Sequence, residues 1–323
     1  MNTVNNYLSL IIPVYRNEES IPELLTAITG LHKNLQGQLE AVFVIDGSPD
    51  RCYEILRNAL PTCPFPSKLV LLSKNFGSFA AIRAGLEFGN GERFAGMAAD
   101  LQEPPELILE MDRVLRTEEF DVVVAVREGR ADPLLNRLPA EIFWHLYRRF
   151  VVPEVPIGGV DIFACNRAFR DQLLQLEERH SSLIAQIFWL GFRRKFISYT
   201  RQERKHGKSA WTWRKKVNYM LDSIFSFTDL PIRLLVNVGG VVTLLSGMFG
   251  LLVIASRLLG LITVPGYAAT MLIIVFFGAL NLFALGIVGS YAWRTYENTK
   301  ARPLHVVLRS HSFNQLLGEQ HES

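Results

Sequence analysis

Cysteine is scarce in this chain, with three among 323 residues: Cys52, Cys63 and Cys165. An odd number without metal-ligand spacing excludes a disulfide framework and a cysteine-built metal centre. It reads as reduced thiols in a cytosolic domain. Neither sign of charge dominates. Lys and Arg number 34 against 31 Asp and Glu, a net charge of +3, too small and too dispersed for a nucleic-acid partner. The opening MNTVNNYLSLIIPVY lacks both the basic region and the apolar length of a signal peptide, so it reads as a first strand. Around His206 and Gly207, RKHGKS lacks the spacing of a phosphate-binding P-loop.

The most informative absence is a local one. No charged residue lies between Arg233 and Arg257, and none between Arg257 and Arg294. The first stretch would extend about 34 Å as a helix, enough to cross a bilayer. In the second, TVPGYAAT breaks the start and leaves 267–293. A mean hydropathy of +0.17 is high for a soluble enzyme, and these two runs account for it. They read as a transmembrane hairpin over about 234–256 and 267–293, because a soluble core seldom buries two such lengths side by side. Arg257 is the one charge on the connecting turn, whereas Arg233, Arg294, Lys300 and Arg302 flank the outer ends. By the positive-inside rule the N-terminal domain and both termini are cytoplasmic. Gly239, Gly240, Gly247 and Gly250 allow close helix contact and with it a homo-oligomer. Over 211–230, Trp213, Val217, Met220, Leu221, Ile224 and Phe225 recur at helical spacing behind Arg214, Lys215 and Lys216, which predicts an amphipathic helix lying in the membrane interface. The remainder, 294–323, reads as a cytoplasmic tail whose end, RSHSFNQLLGEQHES, is polar, short and mobile.

Residues 1–210 alternate apolar runs with helical patterns. YLSLIIPVY, EAVFVIDGS, KLVLLSKN, RFAGMAAD and FDVVVAVR are expected strands. Between the first two, Ser20 and Glu23 suggest a capping box, with Leu24, Leu25, Ile28 and Leu31 on one helix face. Ser48, Pro49 and Asp50 suggest the start of another helix. Near-continuous apolar strands alternating with helices predict an α/β fold, a mostly parallel sheet with helices on both faces. Ligands bind such sheets beyond the carboxyl ends of the strands. That rule lines up 13–18, 46–50, 74–77 and 100–105 along one edge. In MAADLQEPPEL, a carboxylate at Asp100 and an amide at Gln102 leave a strand two residues apart and would share one face. Their hard oxygens suit Mg²⁺ or Mn²⁺, while Glu103, Pro104, Pro105 and Glu106 also read as a helix start.

LSLIIPVYRNEESIPELL, VFVIDGSPD, LSKNFGSFAAIRAGL, MAADLQEPPEL, GGVDIFACNR and RQERKHGKSAW occur in that order, followed by two apolar spans. The whole resembles the polyprenyl-phosphate glycosyltransferases of glycosyltransferase family 2, down to about residue 300. The resemblance implies a GT-A-type catalytic domain and a metal-dependent, inverting transfer. Its donor would be a nucleotide sugar, with UDP favoured over GDP, and its acceptor a polyprenyl phosphate at the cytoplasmic face of the inner (plasma) membrane. It implies nucleotide binding by Pro13, Tyr15, Glu18, Asp46, Lys74, Asn75 and Asp100, and a metal on Asp100 and Gln102. It implies phosphate contacts by Arg127, Arg137, Arg201, Arg204 and Ser209, and puts Asp161 near the reacting centre. There Asp161 is open to two roles, general base or orienting group, and a turn cap is its plainer reading. The arginines after the fifth strand also fit a solvated basic face.

Two acids common in that family are missing: Ile45 precedes Asp46, and Ala98 stands two before Asp100. Three functions remain: transfer to a lipid phosphate, transfer to a polysaccharide or glycolipid, and a non-catalytic membrane scaffold. The Q-x-x-R-W motif usual in processive synthases is absent.

Overall fold

The computed structural model describes residues 7–127, 148–149, 154–156, 160, 162–178, 181–202, 221, 224–225, 228, 230–259 and 266–314. The five apolar runs become strands β1 (Leu8–Val14), β2 (Leu39–Ile45), β3 (Ser67–Leu72), β4 (Arg93–Gly96) and β5 (Val122–Arg127). Three more complete the sheet: β6 (Phe163–Asn166), β7 (Arg194–Tyr199) and β8 (Val307–Phe313). The order is β7-β5-β6-β4-β1-β2-β3-β8. Pairs β1–β2, β1–β4, β2–β3 and β5–β7 are parallel. β6 runs antiparallel between β4 and β5, and β8 antiparallel along β3.

Helices cover both faces, as continuous apolar strands require. On one face α1 (Ile21–Asn34), α2 (Cys52–Ala59) and α4 (Pro105–Thr117) bury Leu24, Ile28, Leu56, Ile108 and Met111 against Leu8, Leu10 and Ile12. On the other, α3 (Ser78–Phe88), α5 (Arg167–Leu174) and α6 (Leu183–Trp189) bring Ala81, Ala84, Phe169 and Ile187 onto Ile11, Val42 and Val44. Asp112 of α4, 2% exposed, accepts from Arg93 Nε at 2.7 Å and pairs with Arg116 Nε at 2.8 Å. That pair fixes α4 to the start of β4.

Pro13 sits inside a central strand yet costs no ladder bond. The Ile11 carbonyl accepts from Met97 N, and alternation turns position 13 to the same side. β4 has already ended there, since its last pairing is Ile11 with Gly96.

Two helix starts differ from expectation. Ser20 makes no side-chain cap, because its hydroxyl donates to the Asn17 carbonyl at 3.0 Å and its backbone is already helical. α2 begins at Cys52, with Asp50 accepting from the Cys52 amide at 3.4 Å in place of opening the helix itself.

The tail is the larger correction. β8 is an ordered edge strand on β3, and the chain around it is held by side chains as well. Tyr53 Oη and His311 Nε2 are 2.9 Å apart, and Asn314 Nδ2 donates to the carbonyls of Leu60 and Cys63. Its sequence is polar because an edge strand over one helix needs few apolar residues.

The charge-poor runs form two long helices, α7 (Leu230–Leu258) and α8 (Tyr267–Thr299). Leu244, Leu251, Leu258 and Leu282 on them are each at least 70% exposed. Among the described residues, Phe276–Thr299 is long and apolar enough to cross a membrane, and Pro231–Val242 is a shorter apolar stretch. At the cationic ends, Phe225 meets Tyr291 edge to face at 5.2 Å and lies under Arg294, and Tyr291 Oη donates to Thr228 O. The start of α7 and the end of α8 are therefore neighbours. Most of the expected interface helix 211–230, with Trp211 and Trp213, lies outside the described residues.

Candidate functional site

The carboxyl ends of β1, β2, β3, β4, β5 and β7 open on one edge of the sheet, because these strands share a direction. Their loops carry the polar residues. After β1, Tyr15 N donates to Asn17 Oδ1 at 3.1 Å, and Arg16 takes a left-handed backbone (φ +56°) with its guanidinium 5.4 Å from the Tyr15 ring. The loop is clasped to the one after β2. Glu18 N donates to Asp50 Oδ2 at 3.3 Å, and Arg51 N donates back to Glu18 Oε2 at 3.0 Å. Ser48 joins them, accepting from Arg16 N and donating to Asp50 Oδ1. Burial pushes the Asp50 carboxyl up, but hydrogen bonds from Ser48, Cys52 and Glu18 N outweigh it and leave the group below its ordinary value. Beside this clasp lies a cleft of about 350 Å³ lined by Arg16, Glu18, Pro49 and Asp50.

Asp46 is 3% exposed. Its two carboxylate oxygens accept from Phe76 N at 2.7 Å and Gly77 N at 2.9 Å, and its carbonyl from Asn75 Nδ2 at 3.2 Å. It thereby holds the loop after β3, where Lys74 Nζ lies 5.1 Å from the Phe76 ring centroid. Gly47 makes this approach possible, since a Cβ there would meet the Lys74 carbonyl carbon at 2.3 Å.

Asp100 and Gln102 do not leave an extended strand. β4 ends at Gly96, and Leu101 between them is left-handed at φ +55°. Gln102 N donates to Asp100 Oδ1 at 3.4 Å, so a tight turn, not the two-residue pleat, sets both groups. Ala98 N donates to Glu103 Oε2, and Glu103 is 2% exposed. From the far side, Gln202 N donates to the Gln102 carbonyl at 2.9 Å, and Arg201 Nη2 donates to Gln102 Oε1 at 2.6 Å. The turn after β4 is thus joined to the segment after β7. Arg127 ends β5 in register with Tyr199 at the end of β7, two residues before Arg201.

Among the described residues no three His, Cys, Asp or Glu side chains gather as a metal cage. One carboxylate and one amide oxygen on a fixed turn still fit Mg²⁺ or Mn²⁺ of the kind that takes its other ligands from water and phosphate. Asp161, Arg137, Arg204 and Ser209 lie outside the described residues. Sequence reasoning missed the roles of Asn17 and Cys52, whose side chains bond within the clasp, and of Arg51 and Gln202, which act through backbone amides that no side-chain pattern announces. Asp50 was legible only as a helix start.

Residues 9–176 match the model of the family described as Glycosyl transferase family 2. The chain is 33% identical over 315 residues to the undecaprenyl-phosphate 4-deoxy-4-formamido-L-arabinose transferase of Pseudomonas savastanoi, covering 95% of this chain and 92% of that one. It is 29% identical over 308 residues to a prophage-derived bactoprenol glucosyl transferase of Shigella flexneri, covering 95% and 99%. In fold it resembles a mannosyltransferase of Pyrobaculum calidifontis solved with GDP-Man and Mn²⁺, at 19% identity and a TM-score of 0.50, over 69% of this chain and 64% of that one.

Proposed function

This chain belongs to glycosyl transferase family 2, and we propose that it transfers a sugar from a nucleotide diphosphate to a polyprenyl phosphate at the cytoplasmic face of a membrane. One observation carries the reading. The sheet edge bearing Asp100, Gln102, Arg127 and Arg201 is also the edge where the chain meets its apolar helices. β7 ends there before the segment leading to α7, and β8 begins there, with Ser73 N donating to Val306 O. On this reading a site on that edge would face the lipid headgroups. Relatives acting on undecaprenyl and bactoprenol carriers along nearly their whole length support the same acceptor.

The contact between the start of α7 and the end of α8 supports a two-helix hairpin, and a strand that rejoins the sheet after α8 is consistent with it. Lys300 lies 4.2 Å from the Tyr296 ring and 5.2 Å from that of Trp293, a cation and aromatic pair suited to an interface. On this reading domain 1–210, the interface helix 211–230 and the tail are cytoplasmic.

The chemistry is one displacement. An oxygen of the lipid phosphate attacks the anomeric carbon, the bond to the nucleoside diphosphate breaks, and the configuration inverts. The attacking oxygen is already anionic near neutral pH, so it needs placing more than deprotonating. Arg127 and Arg137 supply guanidinium forks for that phosphate. Arg201 and Arg204 stabilise charge on the departing diphosphate, with Ser209 in the same segment. A divalent cation held by Asp100 and Gln102 would add positive charge at the same place. Tyr15, Glu18, Asp46, Lys74 and Asn75 shape the nucleotide side, and Asp161 orients the sugar or an arginine.

The test uses membranes containing the full chain, undecaprenyl phosphate, Mn²⁺ and a panel of labelled UDP- and GDP-sugars. Label entering the organic phase, and lost in Asp100→Ala, is the expected result. A folded protein that transfers from no donor overturns the reading.

A further inference from the structure

Gln102 is engaged three times by two consecutive residues, Arg201 and Gln202. Its carbonyl accepts from Gln202 N at 2.9 Å, its side-chain nitrogen faces Gln202 O at 3.4 Å, and its side-chain oxygen accepts from Arg201 Nη2 at 2.6 Å. The last of these is a short, charge-assisted hydrogen bond. It places a guanidinium on the oxygen that, with Asp100, forms the cation-binding pair of the proposed function. An amide oxygen has two lone pairs, so sterics alone do not forbid sharing. Charge does. A divalent ion on that oxygen stands a few ångströms from the guanidinium, and two cations so close repel strongly in a partly buried site. Position 98 is alanine, so the acids of this turn are Asp100 and the buried Glu103, whose carboxylate accepts from Ala98 N.

We propose that Arg201 and the divalent cation compete for the Gln102 side-chain oxygen, and that a nucleoside diphosphate resolves the competition. The inference rests on the glycosyltransferase reading above. The diphosphate brings negative charge that both cations can share, and its oxygens accept the guanidinium fork better than one amide does. Arg201 then leaves Gln102 for the diphosphate. Cation binding therefore depends on the nucleotide, and by linkage nucleotide binding depends on the cation to the same degree. Arg201 thus moves from Gln102 to the diphosphate, and that movement couples the turn after β4 to the segment after β7.

The experiment reads Mn²⁺ binding by electron paramagnetic resonance, with purified full-length protein and no sugar donor. MnCl₂ is titrated alone, then with UDP and with GDP. Wild type is expected to bind Mn²⁺ weakly alone and about tenfold or more tightly with the matching nucleotide, as loss of one charge-assisted competitor implies. Arg201→Met is expected to bind Mn²⁺ alone about tenfold more tightly than wild type, with a smaller gain from nucleotide. Equal affinity of wild type and Arg201→Met for Mn²⁺ alone overturns the proposal. If the methionine variant folds poorly, Arg201→Gln serves: it keeps a hydrogen-bond donor but removes the charge, so it should bind Mn²⁺ more tightly than wild type, and no change again refutes the competition. Absence of UDP and GDP binding in every form, with Mn²⁺ affinity still raised in the variants, instead defeats the glycosyltransferase reading and leaves the competition standing.

Discussion

Replacing Gly47 by alanine tests how the site is built, because the new Cβ has a definite place to collide. It would lie 2.3 Å from the Lys74 carbonyl carbon, 2.4 Å from Asn75 N and 2.8 Å from Lys74 Cα, all backbone atoms that no rotamer change can move. Ordinary carbon contact needs ~3.5 Å, so the loop after β3 must retreat by about 1 Å. That retreat pulls Phe76 N and Gly77 N away from the Asp46 carboxylate, where they now sit at 2.7 and 2.9 Å. Losing one such bond to a buried charge costs about 1.5–3 kcal/mol, and a left-handed alanine costs about 1 kcal/mol more. The total is about 2.5–4 kcal/mol, at the upper end of single substitutions.

Gly77→Ala is the matched control. Its backbone is also left-handed in φ, at +99°, but nothing lies within 4 Å of a Cβ there. Strain alone remains, about 1–3 kcal/mol. Thermal unfolding of the full chain in detergent should show Gly47→Ala melting about 5–16 °C below wild type, at about 2–4 °C per kcal/mol for a domain of this size, and Gly77→Ala falling less. Nucleotide affinity should fall with Gly47→Ala, because Lys74 and Asn75 move with the loop. A Gly47→Ala protein as stable as wild type, or more stable than Gly77→Ala, would refute this account of the loop.

Asp112→Ala should destabilise by about 3–5 kcal/mol, since it breaks a buried ion pair with Arg93; Asp112→Ala with an unchanged melting temperature would contradict that. Asp50 titrates below its ordinary value in the folded chain, so its contribution is complete above that ordinary value and fades as pH falls through the folded one. Below about pH 4, wild type should therefore lose melting temperature more steeply than Asp50→Asn, and parallel curves would sink the clasp. Burial and the Asp50 hydrogen bond push the Cys52 thiol up to about 12, and burial also raises Cys165 and Cys63. Ellman's reagent at pH 8 should thus find no fast-reacting thiol in the native protein, with partly exposed Cys63 first and all three open after denaturation. Deleting the chain from Ala301 onward uncovers the β3 edge and removes the Tyr53–His311 and Asn314 contacts. Lower melting and more aggregation are expected, and an equally stable truncated chain would show β8 to be dispensable.

The strands of the central sheet were legible because their burial on both faces makes them continuous apolar runs, as in AVFVI of β2, where every residue is buried. The apolar helices were legible for the same reason on a longer scale. β8 was not. Its residues Val307 to Phe313 alternate poorly, and what holds them is backbone pairing to β3, which leaves no trace in composition. The site divides in the same way. Side chains such as Asp46 and Asp100 could be singled out, but their setting could not, because a left-handed Leu101 or an amide donated by Phe76 is a property of the path of the chain. Asp46 was expected to face a nucleotide, and its carboxylate oxygens are found on the amides of Phe76 and Gly77. Arg201 and Gln102 were both singled out, a hundred residues apart, yet their direct bond needed the fold to bring β7 beside β5.

β8 also bears on how such a site would reach a lipid. A catalytic domain hung from one linker samples many heights above the membrane, and a phosphate confined to the headgroup plane meets it in only some of them. Here the chain is attached twice at one sheet edge: through Arg201 and Gln202 on the way to α7, and through Val306 and β8 on the way back from α8. The two attachments lie on opposite sides of the sheet, with β1 to β6 between them. Seven strand spacings of about 4.8 Å separate them in the sheet, roughly 34 Å, while the helix ends they lead to are neighbours, so two links converging on one place restrain tilting more than a single link would. On the proposed reading this holds Arg127 and Arg201 at one fixed depth, so that the lipid phosphate arrives at guanidinium groups already in its plane. Loss of β8 should then lower the rate with membrane-embedded acceptor more than the rate with a short, detergent-dispersed polyprenyl phosphate. Equal losses with both acceptors would mean that the strand serves stability alone.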